Sequence, residues 1–485
     1  MNLNHQSIIN HFTVCRSYCL LQLCRYFEWM TASHTISLHL PQQNMDLSDD
    51  SLLNGITMID NRALLSPSRS TQEKKSPFKE SSLIFFAAVG CTICYTSVLS
   101  NLVYYTMTMG VESYLVLNLT IYGSMLPTTI SQTIWDSKFD REIGSLGAYS
   151  FRGCIGFSVS AICLLLMPFI TRLSTLLVVS LMLGLASAIL HGMLKQMASF
   201  IYPGCGRLAA AVAAGMQASA IPVLFISLET GFGRDSRSEG ITKYYFTVAG
   251  MLLFCWLCFQ ILVTRSPGVS MGMERQDSLL LEENQDISEV IVSRHSFHSA
   301  EDTSQISEEE VNEPEELSLW LLWNKTRPAC LVLMITVASS MSVASWLNRV
   351  KSQNPSNEAF AQVLFYARLF GDLLGRPATL YRAPTSMPRL TIAAILRLLF
   401  VPVFFLYTNS NIIPKWDFGA ICGIFTFALT SGYLSTLSYQ LAPSLLEDHE
   451  RERNLTRQNG LINVCFSSSI LMGFALTFVI DFVSN

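Results

Sequence analysis

The sequence predicts an all-α polytopic membrane protein, with about eleven transmembrane helices in a six-plus-five arrangement. Three observations predict it. Half of the 485 residues are apolar and only 14% are charged, against about 25% charged in a soluble domain. Apolar runs close to the ~20 residues of a bilayer span recur along the chain. The remaining charge gathers in a polar N-terminal stretch, in one long insert and in short loops between runs. Mean hydropathy is positive, at +0.36. The net charge of -4 is too unevenly placed to name a partner, and no nucleic acid is expected. The 13 Cys sit mostly in apolar segments, where a thiol behaves as a small hydrophobe.

Residues 1–82 read as a disordered cytosolic N-terminal region. Their first thirty residues are neither a signal peptide nor a span, because Arg16 and Arg25 interrupt a short apolar run. That run suits an amphipathic surface segment, and Met45 is a second candidate start. Residues 46–82 are rich in Ser, Asp and Lys, a composition that cannot bury a core. Six spans follow within 83–264, at about 83–107, 113–134, 150–170, 174–200, 207–229 and 242–264. Residues 265–325 form an acidic cytosolic loop with Glu308, Glu309, Glu310, Glu313, Glu315 and Glu316, read as a solvated linker. Five spans lie within 326–485, at about 328–347, 358–381, 389–408, 417–441 and 460–482.

Placing the N-terminus in the cytosol puts Lys74, Lys75, Lys79, Lys138, Arg141, Arg207, Arg265, Lys325, Arg382, Arg389, Arg451, Arg453 and Arg457 on the cytosolic side. Fewer basic residues fall outside, among them Arg172, Lys243, Arg349 and Lys415. The positive-inside bias therefore predicts N-in, and an odd span count puts the C-terminus outside or in a lumen. The sequons at Asn118, Asn324 and Asn454 are then out of reach of glycosylation.

Charges within spans are costly and usually face a bundle interior or a watery path. Arg368, Asp372 and Arg376 lie four apart in YARLFGDLLGRPATLY, so they share one helix face. Asp372 can pair with either Arg. Gly371 and Gly375 beside them let a neighbouring helix approach, and Pro377 frees backbone carbonyls. The competing reading is a buried ion network that only fixes packing. Arg152 opens the third span, where it can snorkel to the headgroups. Gln196 and Gln217 can bond a polar ligand or glue helices. Glu229 ends the fifth span at the rim. Thr430, Ser431 and Tyr433 surround Gly432 and can line a cavity, as can Asn463 on the last span. Cys91 and Cys94 form a lone CxxC, read as packing rather than a metal site. No nucleotide-binding loop, zinc-protease motif or nucleophile elbow occurs, so neither an enzyme nor a cofactor is expected.

Three segments of the second half resemble the equilibrative nucleoside transporter family. GDLLGR (371–376) is similar to its Asp-x-x-Gly-Arg motif in the eighth span. LRLLFVPVFFL (396–406) resembles its ninth span, and FALTSGYLSTLSYQLAP (427–443) its tenth. GMLKQMASF (192–200), AAGMQASA (213–220) and Arg152 match the first half more loosely. The resemblance covers about residues 83–482. It implies a major-facilitator-like bundle that moves nucleosides or nucleobases by facilitative alternating access, with Asp372, Arg376, Gln196, Gln217 and Arg152 at or near the substrate. Departures bear on selectivity. The family's first-span Pro-Trp-Asn is Cys94-Tyr95-Thr96, with Tyr95 left as the apolar wall. The Asn before Gly-Tyr in the tenth span is Ser431, and the fifth-span Gln is displaced to Gln217.

Two other classes compete. One is a carrier of organic cations or another small polar solute, with Asp372 or Glu229 as counter-charge. The other is a non-transporting receptor or scaffold acting through the 265–325 loop. Asp60, Leu64 and Leu65, in Asp-Asn-Arg-Ala-Leu-Leu, fit an acidic dileucine signal for endosomes or lysosomes, read by sorting adaptors; the plasma membrane is the alternative location.

Overall fold

The computed structural model describes residues 78–484, apart from 111–112, 202–205, 233–239, 275–276, 279–316, 348–349, 351, 354–359, 382–385, 411–412 and 414. The dileucine-type motif and the acidic run lie outside the described residues. Before the insert the chain forms α1 (Phe78–Leu99), α2 (Leu102–Met109), α3 (Ser113–Ile143), α4 (Ser145–Leu166), α5 (Leu173–Phe200), α6 (Gly206–Ala218), α7 (Ala220–Thr230) and α8 (Ile241–Arg265). After it come α9 (Leu319–Trp346), α10 (Phe360–Ala378), α11 (Met387–Leu398), α12 (Phe400–Asn409), α13 (Asp417–Leu441) and α14 (Asp448–Ser484).

Nine stretches among the described residues are long and apolar enough to cross a bilayer. Two expected spans are missing from the nine: α3 and α10. In α10 the reason is charge, from Arg368, Asp372 and Arg376. In α3 it is neutral polarity: Asn118, Thr120, Ser124, Thr128 and Thr129 dilute its apolar half, and the charged residues Asp136, Lys138, Asp140, Arg141 and Glu142 follow near its end. The sequence expectation of eleven is therefore not matched by apolar length alone. The protein is an integral multi-pass membrane protein, and α3 and α10 pack among its apolar helices.

Prolines explain two breaks. Pro222 and Pro402 have no N–H for the carbonyl four residues earlier. The expected single fifth span is split at Ser219 into α6 and α7, and the expected ninth at Leu399 into α11 and α12. Left-handed glycines end other elements: Gly144 (φ 82°) separates α3 from α4, and Gly240 (φ 94°) precedes α8.

Burial sorts centre from rim. Of the most apolar window of α1, 78% is buried, against 28% for α11 with α12. The exposed side chains of the outer helices are large and apolar, such as Leu257, Leu396, Leu399 and Phe478, as a lipid-facing surface requires. In the second half, Trp346, Leu364, Phe404, Ile424 and Phe427 form one core between α9, α10, α12 and α13. α10 and α13 touch backbone to backbone. A Cβ on Gly375 would run into the carbonyl of Leu429, and one on Gly432 into that of Asp372. At the end where α1 starts, Glu80 accepts from Ser266 Oγ (2.6 Å) and Gly268 N (3.2 Å). At the same end Lys325 donates to Glu450 at 2.5 and 2.7 Å.

Candidate functional site

Four helices from before the insert, α1, α3, α5 and α6, and three from after it, α10, α13 and α14, bring polar and aromatic groups to one interior region. α10 supplies Asp372 and Arg376, one turn apart. Arg376 donates to Asp372 Oδ2 from Nη2 (2.8 Å) and Nε (3.2 Å). The same oxygen accepts from the Gln217 side chain on α6. One carboxylate oxygen thus ties a first-half helix to a second-half helix. Arg368 does not share it: that guanidinium reaches Met341 Sδ on α9 at 3.7 Å. Of the two pairings the spacing allowed, the fold makes the one with Arg376.

Around this pair stand aromatic and amide groups. Tyr95 on α1 packs edge-on against Tyr122 of α3, 5.8 Å between centroids, and Tyr122 lies 6.1 Å from Phe474 of α14. Asn463, 3% exposed, accepts from Tyr439 Oη at 3.0 Å. Lys195 on α5 sets its ammonium over the Tyr439 ring (3.6 Å) and beside Phe466 (4.7 Å). One turn earlier, His191 lies 5.1 Å from the Phe466 ring, and its Nε2 is buried with no hydrogen-bond partner among the described residues. His191, Asn463, Phe466, Met125, Thr129 and Ser467 border a small space, with room for about one water, between α3, α5 and α14. Thr129 Oγ1 donates to Ser467 Oγ across it (3.3 Å). The charge of Arg376 is felt by Tyr95, His191, Lys195 and Tyr439, so these side chains share one interior region.

The remaining expected site residues make contacts other than with the Asp372 carboxylate. Arg152 is 6% exposed and does not snorkel. It pairs with Asp140 and, at 3.3 Å, with Asp136, both on α3. Gln196 joins this cluster, accepting from Tyr149 Oη and donating to Asp136 Oδ2, each at 3.4 Å. Arg152 and Gln196 therefore form a network within the first half, apart from Asp372. Ser431 bonds Ser340 Oγ at 2.8 Å. Glu229 is exposed at the end of α7. Cys91 and Cys94 are buried, and Cys91 donates to the Ser187 carbonyl at 3.4 Å. Among the described residues no cluster of three His, Cys, Asp or Glu suits a metal ion.

A profile of the nucleoside transporter family matches residues 173–483. The chain belongs to the nucleoside transporter family. It is 32% identical over 158 residues to equilibrative nucleoside transporter 2 of Mus musculus, a match over 30% of this chain and about a third (35%) of that relative. Its fold is similar to that of the major facilitator superfamily proton:xylose symporter XylE, solved with 6-bromo-6-deoxy-D-glucose. There the TM-score is 0.55 with 9% identity, covering 84% of this chain and 88% of the other. At that identity the likeness speaks for fold alone.

The sequence reading of this nucleoside transporter family member missed Arg397, although it quoted the segment that holds it. Arg397 is 7% exposed and has no carboxylate partner among the described residues. It donates to Thr336 O (2.6 Å), Ser339 Oγ (2.5 Å), Ser340 Oγ (2.7 Å), Phe427 O (3.2 Å) and Thr430 Oγ1 (3.3 Å). Its guanidinium also covers the Phe427 ring at 3.7 Å. The signal was present: a lone Arg in an apolar run. Lys195, His191, Asp136 and Asp140 were missed for a different reason. Their importance lies in which helices meet them.

Proposed function

We propose that this protein carries nucleosides or nucleobases across a membrane by alternating access, without a driving gradient. The carrying observation is the oxygen of Asp372 shared by Arg376 of its own helix and Gln217 of the other half. Arg376 keeps the carboxylate paired at all times. Gln217 can leave without stranding a charge, because an amide–carboxylate bond is replaceable by a ribose hydroxyl, which a carboxylate accepts. Substrate entry would exchange this link for bonds to sugar and base, while the six helices of 83–264 rock against the five of 326–485. Tyr95 would wall the base, and Asn463 and Ser431 would support the far side. The family membership and the symporter-like fold support this reading.

Asp372 is a poor counter-charge for an organic cation, since its oxygen is already engaged by a guanidinium. We place the N-terminal tail and the 265–325 loop in the cytosol, and the working membrane in endosomes or lysosomes, with Asp60, Leu64 and Leu65 as the address. Leu64→Ala with Leu65→Ala should move a tagged protein to the cell surface; an unchanged distribution rejects the address.

The test is uptake of radiolabelled adenosine and uridine into proteoliposomes holding the full chain, with empty liposomes beside them. Saturable flux without an imposed potential or pH gradient is expected. Absence of flux from folded protein overturns the proposal, and flux only under a proton gradient overturns its passive part.

A further inference from the structure

The interior between the two halves is unbalanced in charge. Arg376 of α10 and Lys195 of α5 carry positive charge there, with Arg368 and Arg397 held by second-half groups, and the described carboxylate among them is Asp372, committed to Arg376 and Gln217. Lys195 makes no hydrogen bond or ion pair with any described residue; its contacts are the Tyr439 and Phe466 rings. Cation–π contacts contribute about 0.5–2 kcal/mol. Withdrawing an ammonium from water costs several kcal/mol even after relaxation. The rings alone do not offset that, and a lysine in such a place normally serves a pathway or a partner. It is half-buried while its neighbours Leu194 and Gln196 are buried. His191, one turn away on the same face, is more than nine-tenths buried and borders the small space beside Asn463 and Ser467 with a Nε2 that has no partner among the described residues. Both side chains contact the Phe466 ring. On the opposite wall, Asn463 and Ser467 add neutral polar groups.

We propose that Lys195 and His191 form an anion-recognising subsite, so that the preferred cargo is a nucleoside or nucleobase carrying a carboxylate-like acidic group. The inference rests on the transporter reading and deepens it. An anionic oxygen would take the ammonium of Lys195, with His191 donating from its free nitrogen, while Asp372 and Gln217 hold neutral hydroxyls. The pair at the site is charge-complementary: one oxygen acceptor for the sugar and one cation for the acid. A cationic solute would meet an excess of positive charge and be excluded.

The test uses isosteric pairs that differ in charge alone: uridine 5′-carboxylate with its 5′-carboxamide, and uracil 6-carboxylate with its 6-carboxamide. Each competes against labelled uridine for uptake into proteoliposomes of the full chain, and each is assayed for thermal stabilisation of the purified protein. At least one acid should compete about tenfold better than its amide. Lys195→Gln should bring that ratio to about one, Lys195→Arg should keep most of it, and His191→Leu should reduce it about threefold. The ratio is internal to each variant, so differences in folded yield cancel. Uridine flux with acids no better than amides overturns this inference and leaves the carrier intact. A preference that survives Lys195→Gln overturns the assignment to Lys195. No response to any nucleoside or base overturns both readings.

Discussion

Arg152 and Arg397 are both arginines buried in a bilayer-spanning bundle, yet the two halves hold them in opposite ways. Arg152 is met by two carboxylates, Asp140 and Asp136, one turn apart on the adjacent α3. Arg397 is met by hydroxyls and carbonyls of α9 and α13 and by an aromatic face. The first arrangement cancels charge locally. The second solvates the cation but leaves its field in place, within reach of Asp372 on α10. The first half thus cancels the charge of its buried arginine, whereas the second leaves that of Arg397 uncancelled by any described ion pair. In the proposed reading, that difference goes with a packing role for the Arg152 cluster and a cargo role for the region around Asp372.

The comparison breaks most readily at Arg152. Arg152→Leu leaves two buried carboxylates unpaired, and losing one partner of a buried pair costs about 3–5 kcal/mol. Thermal unfolding of purified protein should show that loss, with little folded protein recovered. Arg397→Leu removes a donor from neutral groups that keep other partners, such as the Ser340–Ser431 bond. Its stability cost should be about 1–3 kcal/mol. Equal destabilisation by the two substitutions would erase the distinction.

Asp372→Asn comes next in size, and in transport rather than stability. It removes a charge-assisted bond of about 1.5–3 kcal/mol, which is roughly a 10- to 100-fold loss in uridine uptake at normal surface or vesicle density. Full-rate uptake would remove Asp372 from the cargo site. Arg397→Lys should fold but transport several-fold less, since an ammonium has three donors where the planar guanidinium has five and cannot reach the same acceptors. Gln217→Leu should have the smallest effect. It frees Asp372 from the other half at a cost of about 1 kcal/mol, so uptake should change by a few-fold and the apparent affinity for substrate should shift with it. An effect as large as that of Asp372→Asn would make Gln217 part of the ion pair rather than a replaceable link.

Much of the fold was legible in composition and spacing. The span-length apolar runs, the insert and the triplet on α10 follow from hydropathy and from a periodicity of 3.6. Two span expectations were adjusted by single residues, Pro222 and Pro402, whose missing N–H splits a helix. Arg152 was read as a snorkelling residue because its position near a helix end suggests water; its carboxylate partners sit on α3, beyond the end of the expected second span. Gln196 and Gln217 looked equivalent as amides in small-residue segments, yet one faces Asp136 and the other Asp372.

By itself the sequence determined class and material: a polytopic membrane chain of the nucleoside transporter type, with Arg368, Asp372 and Arg376 on one helix face. Those properties are local, since transfer free energy and helical periodicity act within a segment. Only the tertiary structure decided that Asp372 takes Arg376 and Gln217 rather than Arg368, that Arg397 is solvated without a carboxylate, and that Lys195 and His191 share an interior with the pair. Such pairings depend on which helices come within about 3 Å of one another, over separations of 155 residues for Gln217 and Asp372, and no local pattern encodes that distance.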